Sequence, residues 1–211
     1  MNGVMSVGCN RLLYHLTHIT NLPSILEQGG LQSHAMMQKN NLLHQDVANK
    51  DVQIRREKTI IPVGKGGNLH DYVPFYFAPR SSMLYYLYKQ QLNQTDVIYF
   101  MTDVESIQKN DLDFVFTDAH AIRRLTNFYT EPVHLDRIDW QVMTSDFWHD
   151  IDEDMSRKAR RQAEFLVHRQ VPLSACLGFA VFNERTKAKV EQFLRTAGKS
   201  LSVAVRRQFY Y

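Results

Sequence analysis

Apolar and polar residues alternate along LLYHLTHI (12–19), with Leu12, Tyr14, Leu16 and His18 on one side and Leu13, His15, Thr17 and Ile19 on the other. A period of two puts successive side chains on opposite faces, so the stretch predicts a strand. The period then changes in TNLPSILEQGG. Leu22, Ile25 and Leu26 form a helical stripe, Thr20 or Asn21 can cap it, Pro23 fits the first turn, and Gly29 and Gly30 end it. Residues 32–59 are polar, with a helical patch near 44–58, and VGKGGNLHD (63–71) reads as a loop. YVPFYFAP (72–79) is aromatic and extended, but Pro74 lacks a ladder donor and argues against a central strand.

The second half continues in mixed order. SSMLYYLYKQQL (81–92) predicts a serine-capped helix, and DVIYFMTD (96–103) and LDFVFTDAHA (112–121) predict strands. Residues 122–158 mix aromatics with charges and read as loop-rich. AEFLV (163–167) is a strand, ERTKAKVEQFLRTAGKS (184–200) a helix ended near Gly198, and LSVAVRRQFYY (201–211) a last strand. Strands and helices without regular alternation favour an α+β fold over a doubly wound parallel sheet. No linker-like stretch or repeat divides the chain, so residues 1–211 are expected to form one domain.

Composition narrows the function classes. The 211 residues are 44% hydrophobic and 22% charged, enough for a sizeable core. Cys9 and Cys176 are the two cysteines, too few for a disulfide framework or an all-cysteine metal site. No run approaches the roughly 18 apolar residues of a membrane span, and MNGVMSVGCNRLLYHL lacks the basic start and apolar core of a secretory leader, so a reducing cytoplasm is expected. Net charge is only +3, but the basic residues are bunched in IRREK (54–58), IRR (122–124), RKARR (157–161) and VRRQ (205–208). Such clusters beside aromatic segments suit a polyanionic partner as well as a solvated surface.

Common phosphate-loop, dinucleotide and zinc-protease motifs are absent. His15 and His18 fall on opposite strand faces and cannot share one metal. What remains is a carboxylate in an apolar strand. Glu164 shares a face with Leu166 and His168, and Ala163, Phe165 and Val167 take the other. A buried Glu is expensive unless something pairs with it or uses it. The residue alone leaves both readings open: a sheet-edge Glu bonded to a nearby Arg, or a group that does chemistry. His15 and the tyrosines 72, 76, 85 and 86 are likewise compatible with plain structural roles.

Five blocks carry a resemblance: YHLTHITNLPSILEQGGL (14–31), GGNLHDYVPFYFAPRSSMLY (66–85), FVFTDAHA (114–121), KARRQAEFLV (158–167) and VRRQFYY (205–211). In this order they resemble the DarT family of DNA-modifying ADP-ribosyltransferase toxins. The resemblance implies an ADP-ribosyltransferase split sheet with flanking helices and NAD as donor of ADP-ribose. It implies a base of single-stranded DNA as acceptor and the macrodomain antitoxin DarG as partner. HDYVPFYF with QAEFLV and the closing YY look closer to family members that modify thymine than to those that modify guanine. By the resemblance, Glu164 is catalytic and Arg56 is the second catalytic residue, with Arg55 as the alternative in QIRREK. His15, Leu16 and Thr17 would hold the nicotinamide end of NAD, and Asn21 and Ser24 its phosphates. Arg56 and Tyr76 would also meet NAD, and Tyr76, Arg80, Met83 and His120 would line the base and DNA path. The 32–58 segment would close over NAD. Residues 120–160 would form the recognition loop, where Arg123, Arg124, Phe128, Tyr129 and Trp148 suit unpaired bases and phosphates. Rival readings are transfer to RNA or protein, and a nucleic-acid-binding module in which Glu164 is structural.

The chemistry fits these residue types. Breaking the nicotinamide–ribose bond builds positive charge on the ribose, which a fixed carboxylate stabilises. Bonding a thymine ring nitrogen requires its proton to leave. An arginine of ordinary pKa is a poor base, which makes Glu164 the better proton acceptor and Arg56 a stabiliser of charge on the base.

Overall fold

A computed structural model describes residues 11–45, 47 and 49–211. Cys9, and most of the MNGVMSVGCNRLLYHL stretch read above for a leader, lie outside the described residues. The first strand, β1 (Leu12–His18), runs where alternation placed it, and α1 (Leu22–Glu27) follows with Pro23 in its first turn. Next come β2 (Gly30–Gln32), α2 (His34–Lys39) and α3 (Lys50–Lys58). The polar 32–59 segment therefore holds two helices instead of one patch. Ser33 caps α2 through Met36 N–H, and Asn49 caps α3 through the N–H groups of Asp51 and Val52. Local capping makes these helices, because neither has an apolar stripe strong enough to announce it.

Among the described residues eight strands form the main sheet. Its one half contains β1 and β4 (Val97–Asp103), paired antiparallel over seven residues from Leu12↔Asp103 to His18↔Val97. Outside β4 lie β9 (Gly178–Val181) and, parallel to it, β10 (Val203–Val205). The other half is built from β3 (Tyr72–Tyr76), β5 (Phe114–Thr117), β6 (Phe128–Tyr129) and β7 (Glu164–His168), in the order β3-β7-β5-β6. A small separate sheet pairs β2 with β8 (Gln170–Pro172). The helices are α4 (Ser82–Lys89), α5 (Val104–Lys109), α6 (Trp140–Thr144), α7 (Arg157–Arg161) and α8 (Glu184–Thr196). The predicted α+β class and split sheet are what is seen.

The two halves meet at β1 and β3 through one register pair, Tyr14↔Tyr76. This corrects the expectation for Pro74, which lies mid-sheet rather than at an edge. Its carbonyl accepts a hydrogen bond from His15 Nδ1 at 2.8 Å, so its main-chain edge faces β1. The missing N–H lies on that same side, where the ladder is already open, and the bonds to β7 are untouched. Proline is tolerated because the sheet splits there.

One face of the sheet carries a continuous core, with Leu13, Phe75, Phe100, Phe165 and Phe179 packed under Leu22, Val190 and Leu194. The opposite face carries two separate clusters. Tyr14, Leu16, Leu84, Tyr99 and Tyr210 cover the β1–β4 half, and Ile61, Leu69, Tyr72, Val115 and Leu166 cover the β3–β7 half. A cleft opens between them.

The last predicted strand is a second correction. The strand covers Val203–Val205 and no more. Residues 206–211 turn back, and Tyr210 Oη donates toward the carbonyls of Val97 and Ala180 at 3.1 and 3.2 Å. Phenol hydroxyls seeking buried acceptors outweigh the local strand preference. The 112–121 strand is likewise shorter than expected, because the chain turns at Asp118, whose carboxylate takes the Asn127 N–H, the Asn127 amide and the Tyr129 hydroxyl.

Candidate active site

Glu164 opens β7 opposite Tyr76 of β3 and faces the cleft side of the sheet. Alternation places it there, because Phe165 and Val167 point into the continuous core. The carboxylate is only 3% exposed. Arg56 Nη1 donates to its Oε2 at 2.6 Å, and the Ala121 N–H donates to its Oε1 at 3.1 Å. The Glu164 N–H donates to Thr117 Oγ1 at 3.0 Å, which fixes the backbone that carries the carboxylate. Burial alone would raise its pKa, but the Arg56 charge beside it, with the Ala121 bond, holds the group below its ordinary value. The carboxylate is therefore ionised at neutral pH.

Arg56 comes from α3, a helix whose consecutive side chains diverge by about 100°. Arg56 turns inward and is buried, whereas Arg55 is exposed. Of the two arginines considered, Arg56 is the one that meets Glu164. Among the described residues its buried Nη2 has no hydrogen-bond partner. An orphaned guanidinium donor at a cleft wall is suited to a ligand oxygen.

The cleft wall brings together His15, Leu16, Thr17, Asn21, Ser24, Arg56, Tyr76, Met83 and His120. Glu164 lies behind Arg56 in this arrangement. Because a carbonyl can only accept, the His15 bond to Pro74 puts the proton on Nδ1 and leaves Nε2 an acceptor. Burial lowers the His15 pKa and the Pro74 bond only partly opposes it, so the ring is neutral at pH 7. His120 Nδ1 accepts the Ile122 N–H at 3.3 Å and stands 3.6 Å from Glu164 Oε1, beyond a hydrogen bond. Burial lowers its pKa as well, so a neutral His120 has its proton on Nε2. Tyr76 Oη reaches Met83 Sδ at 3.8 Å, and burial raises that phenol's pKa, keeping it protonated.

Asn21 and the segment that follows α2 are tied together. The Asn21 amide donates to Thr17 Oγ1 and to Gln45 O, and its oxygen accepts the Gln45 N–H at 2.7 Å. Gln45, His44, Leu42 and Met37 thereby become wall residues. Arg80 is not part of this wall. Its guanidinium meets Asp146 at 3.2 Å and lies 4.7 Å from the Tyr211 ring centre. The sequence reading missed His34, Gln53 and His70. The His34 and His70 rings are 4.3 Å apart and His70 Nε2 lies 3.2 Å from Gln53 Oε1. His70 lies inside the HDYVPFYF block, which was the one available signal, whereas His34 sits on a helix that periodicity did not announce. Among the described residues no group of three His, Cys, Asp or Glu side chains converges to hold a metal ion.

The model of the family described as "ssDNA thymidine ADP-ribosyltransferase, DarT" matches residues 14–211. The chain belongs to the DarT family. A DNA ADP-ribosyl transferase of Thermus aquaticus is 35% identical over 206 residues, covering 95% of this chain and 89% of that protein. Thermus sp. 2.9 DarT in complex with ADP-ribosylated ssDNA superposes with a TM-score of 0.89 at 32% identity, covering 95% of this chain and 96% of that one. The same Thermus DarT in complex with NAD+ gives 0.87 at 30% identity, covering 98% and 100%. A "DNA ADP-ribosyl transferase-DNA ADP-ribosyl glycohydrolase fusion protein" of Thermosipho africanus is 32% identical over 159 residues, 74% of this chain and 39% of the fusion. The DarT match spans all five sequence blocks, including the strand bearing Glu164 and the helix bearing Arg56.

Proposed function

We propose that this chain transfers ADP-ribose from NAD to a thymine base of single-stranded DNA, releasing nicotinamide, with residues 1–211 acting as one domain. The observation that carries the reading is the Arg56–Glu164 pair at the cleft of a DarT-family split sheet. The buried pair combines an ionised carboxylate with a guanidinium that still has a free donor.

The residues divide the work as follows. His15 Nε2, held as an acceptor, takes a ribose hydroxyl of NAD, and the main chain of Leu16 and Thr17 meets the nicotinamide amide. Asn21 and Ser24 lie on the phosphate side, where Asn21 also anchors Gln45 and so holds residues 42–45 across the donor site. As the nicotinamide–ribose bond breaks, the pair of electrons leaves with nicotinamide and Glu164 stabilises the positive ribose carbon. The thymine ring nitrogen bonds that carbon and gives its proton to Glu164. Arg56 turns its donors to the base's carbonyl oxygens, a planar task that lysine does poorly. Tyr76, Met83 and neutral His120 line the base side, and Arg80 the DNA path beyond it. A single-stranded acceptor is required because pairing hides the ring nitrogen.

Transfer to DNA would make the chain toxic to its host, and the proposed antidote is a macrodomain partner of the DarG type that removes ADP-ribose. The transferase–glycohydrolase fusion supports that pairing. No helix among the described residues is long and apolar enough to cross a membrane, and a DNA substrate is consistent with a cytoplasmic location. The test is mass spectrometry of single-stranded oligonucleotides of varied sequence after incubation with NAD. A single ADP-ribose on thymine is expected. Label on guanine overturns the base assignment, equal labelling of duplex overturns the single-strand assignment, and modification of RNA or protein alone overturns the substrate class.

A further inference from the structure

Arg161 carries its charge into the protein with no carboxylate paired to it among the described residues. The residue is 5% exposed. Its Nη1 donates to the carbonyls of Val142, Met143 and Ser145 at 2.8, 2.7 and 3.1 Å, and its Nη2 to the carbonyl of Pro79 at 2.9 Å. The first three acceptors lie at the C-terminal end of α6, where helix carbonyls are left open and attract a cation. The fourth belongs to a different segment, just after β3. Burying an unpaired cation is costly, and an apolar side chain of similar volume would avoid that cost. One guanidinium thus joins two segments that are far apart in sequence.

The turn it holds is strained. Arg80 has φ +50°, uncommon for a residue other than glycine. It is restrained from further sides. The Arg80 N–H donates to Phe209 O at 3.2 Å, and Tyr211 Oη donates to Arg80 O at 2.8 Å. Trp148 Nε1 in turn donates to Tyr211 Oη at 3.2 Å. Turn and recognition segment are therefore linked through Arg161, through Tyr211–Trp148 and, at the exposed surface, through the Arg80–Asp146 ion pair. The turn leads into Ser81, the cap of α4, which carries the cleft residue Met83. Arg161 itself ends α7, three positions before Glu164. A strained, multiply restrained turn beside a reaction centre marks preorganisation.

We propose that Arg161 is a positioning residue that sets the Pro79–Arg80 turn and the 142–148 segment in register with Glu164, so that the DNA strand meets the carboxylate in one place. The inference rests on the DNA-transfer reading above. Its action is on acceptor binding, because Arg161 touches none of the residues assigned to NAD. Lysine keeps the charge but offers one ammonium, which cannot bridge both segments.

The test compares wild type with Arg161→Lys at saturating NAD. The KM for a single-stranded oligonucleotide is expected to rise about tenfold, with kcat and NAD affinity by calorimetry changed by no more than roughly twofold. An unchanged oligonucleotide KM, or a parallel loss of NAD affinity, overturns the proposal. Tyr211→Phe leaves Arg161 in place and frees the same turn from its other side. It is expected to raise the same KM, and it decides the matter if Arg161→Lys does not fold: an unchanged KM there overturns the role of the turn. Hydrogen exchange supplies a readout independent of activity. In Arg161→Lys, amides 80–84 and 142–146 should lose protection together while those of β7 keep theirs, and independent behaviour of the two segments overturns the coupling. A wild-type chain that labels no DNA sinks the functional reading, and the exchange result then still decides whether Arg161 couples the segments.

Discussion

Two arginine–carboxylate systems, one at Arg160 and one at Arg56, do opposite things. Arg160, at the end of α7, is half-exposed and fully engaged. Its Nε donates to Asp139 at 2.8 Å, its Nη2 to Asp154 at 2.5 Å, and its Nη1 to Asp154 and Ser156. The Arg160 bond, more than the partly opposing burial, holds the Asp154 carboxyl down to about 2. Among the described residues Arg56 in the cleft has one bond to one carboxylate and a buried Nη2 without a partner. Asp154 and Glu164 are both ionised. The difference is whether the guanidinium has donors left. A satisfied fork at the surface shapes a loop, and an unsatisfied fork at a cleft wall has capacity for a substrate.

The strongest test of this contrast is Glu164→Gln, which keeps the shape of the side chain and removes its charge. DNA modification should fall by at least 10²–10³, while the circular dichroism spectrum stays that of the wild type. Near wild-type modification by the purified variant would reduce Glu164 to a structural partner of Arg56. In cells the wild-type gene should be toxic and the variant tolerated.

Arg56→Ala should slow transfer more than it weakens NAD binding, and Arg56→Lys should restore little, since a point charge cannot present two planar donors. A fall in NAD affinity that matches the fall in rate would place Arg56 on the NAD phosphates instead. His15→Ala should weaken NAD by roughly 0.5–1.5 kcal/mol with oligonucleotide binding preserved, measured by calorimetry. An unchanged NAD affinity returns His15 to its bond with Pro74 as a purely structural feature.

Acidification provides a smaller effect with a definite sign. His15, His70, His120 and His168 all have pKa values lowered in the folded state, chiefly by burial. Below about pH 6.5 the unfolded chain takes up protons that the folded chain refuses, so thermal stability should fall as pH drops through that range. Glu164 adds to the same trend at lower pH, since its folded value lies below the unfolded one and its contribution is lost as pH falls through the folded value. A melting temperature that rises on acidification from pH 7 would contradict the neutral, buried histidines. Smallest of all should be Asp154→Asn. It removes one arm of an exposed network, and it should leave transfer to DNA unchanged, with any loss of melting temperature vanishing in high salt. A large loss of transfer would mean that the surface network also serves the site.

Much of this molecule was legible in local pattern. Alternation located β1, strand-prone runs located β4 and β7, and the period of two put Glu164 on the face opposite Phe165; a serine cap located α4, Gly198 the end of α8, and Pro23 with the Gly29–Gly30 stop located α1, where Asn21 makes no side-chain cap bond. Those signals are local because a strand's faces and a helix's end groups depend on residues within one or two turns. What the pattern could not supply was spacing between distant segments. Whether Arg55 or Arg56 meets Glu164 depends on the rotation of α3 against β7, and 108 residues separate the partners. Pro74 read as an edge residue because its missing donor is a local fact, whereas the open ladder beside it exists only once β1 and β3 come together. The closing segment carries strand-like residues, yet it turns back so that Tyr210 and Tyr211 can reach carbonyls on β4, β9 and the Arg80 turn. Residue type and period determined which side chains were available for chemistry. Only the tertiary structure decided which of them share a cleft, because ion pairing and burial depend on distances that no local pattern encodes.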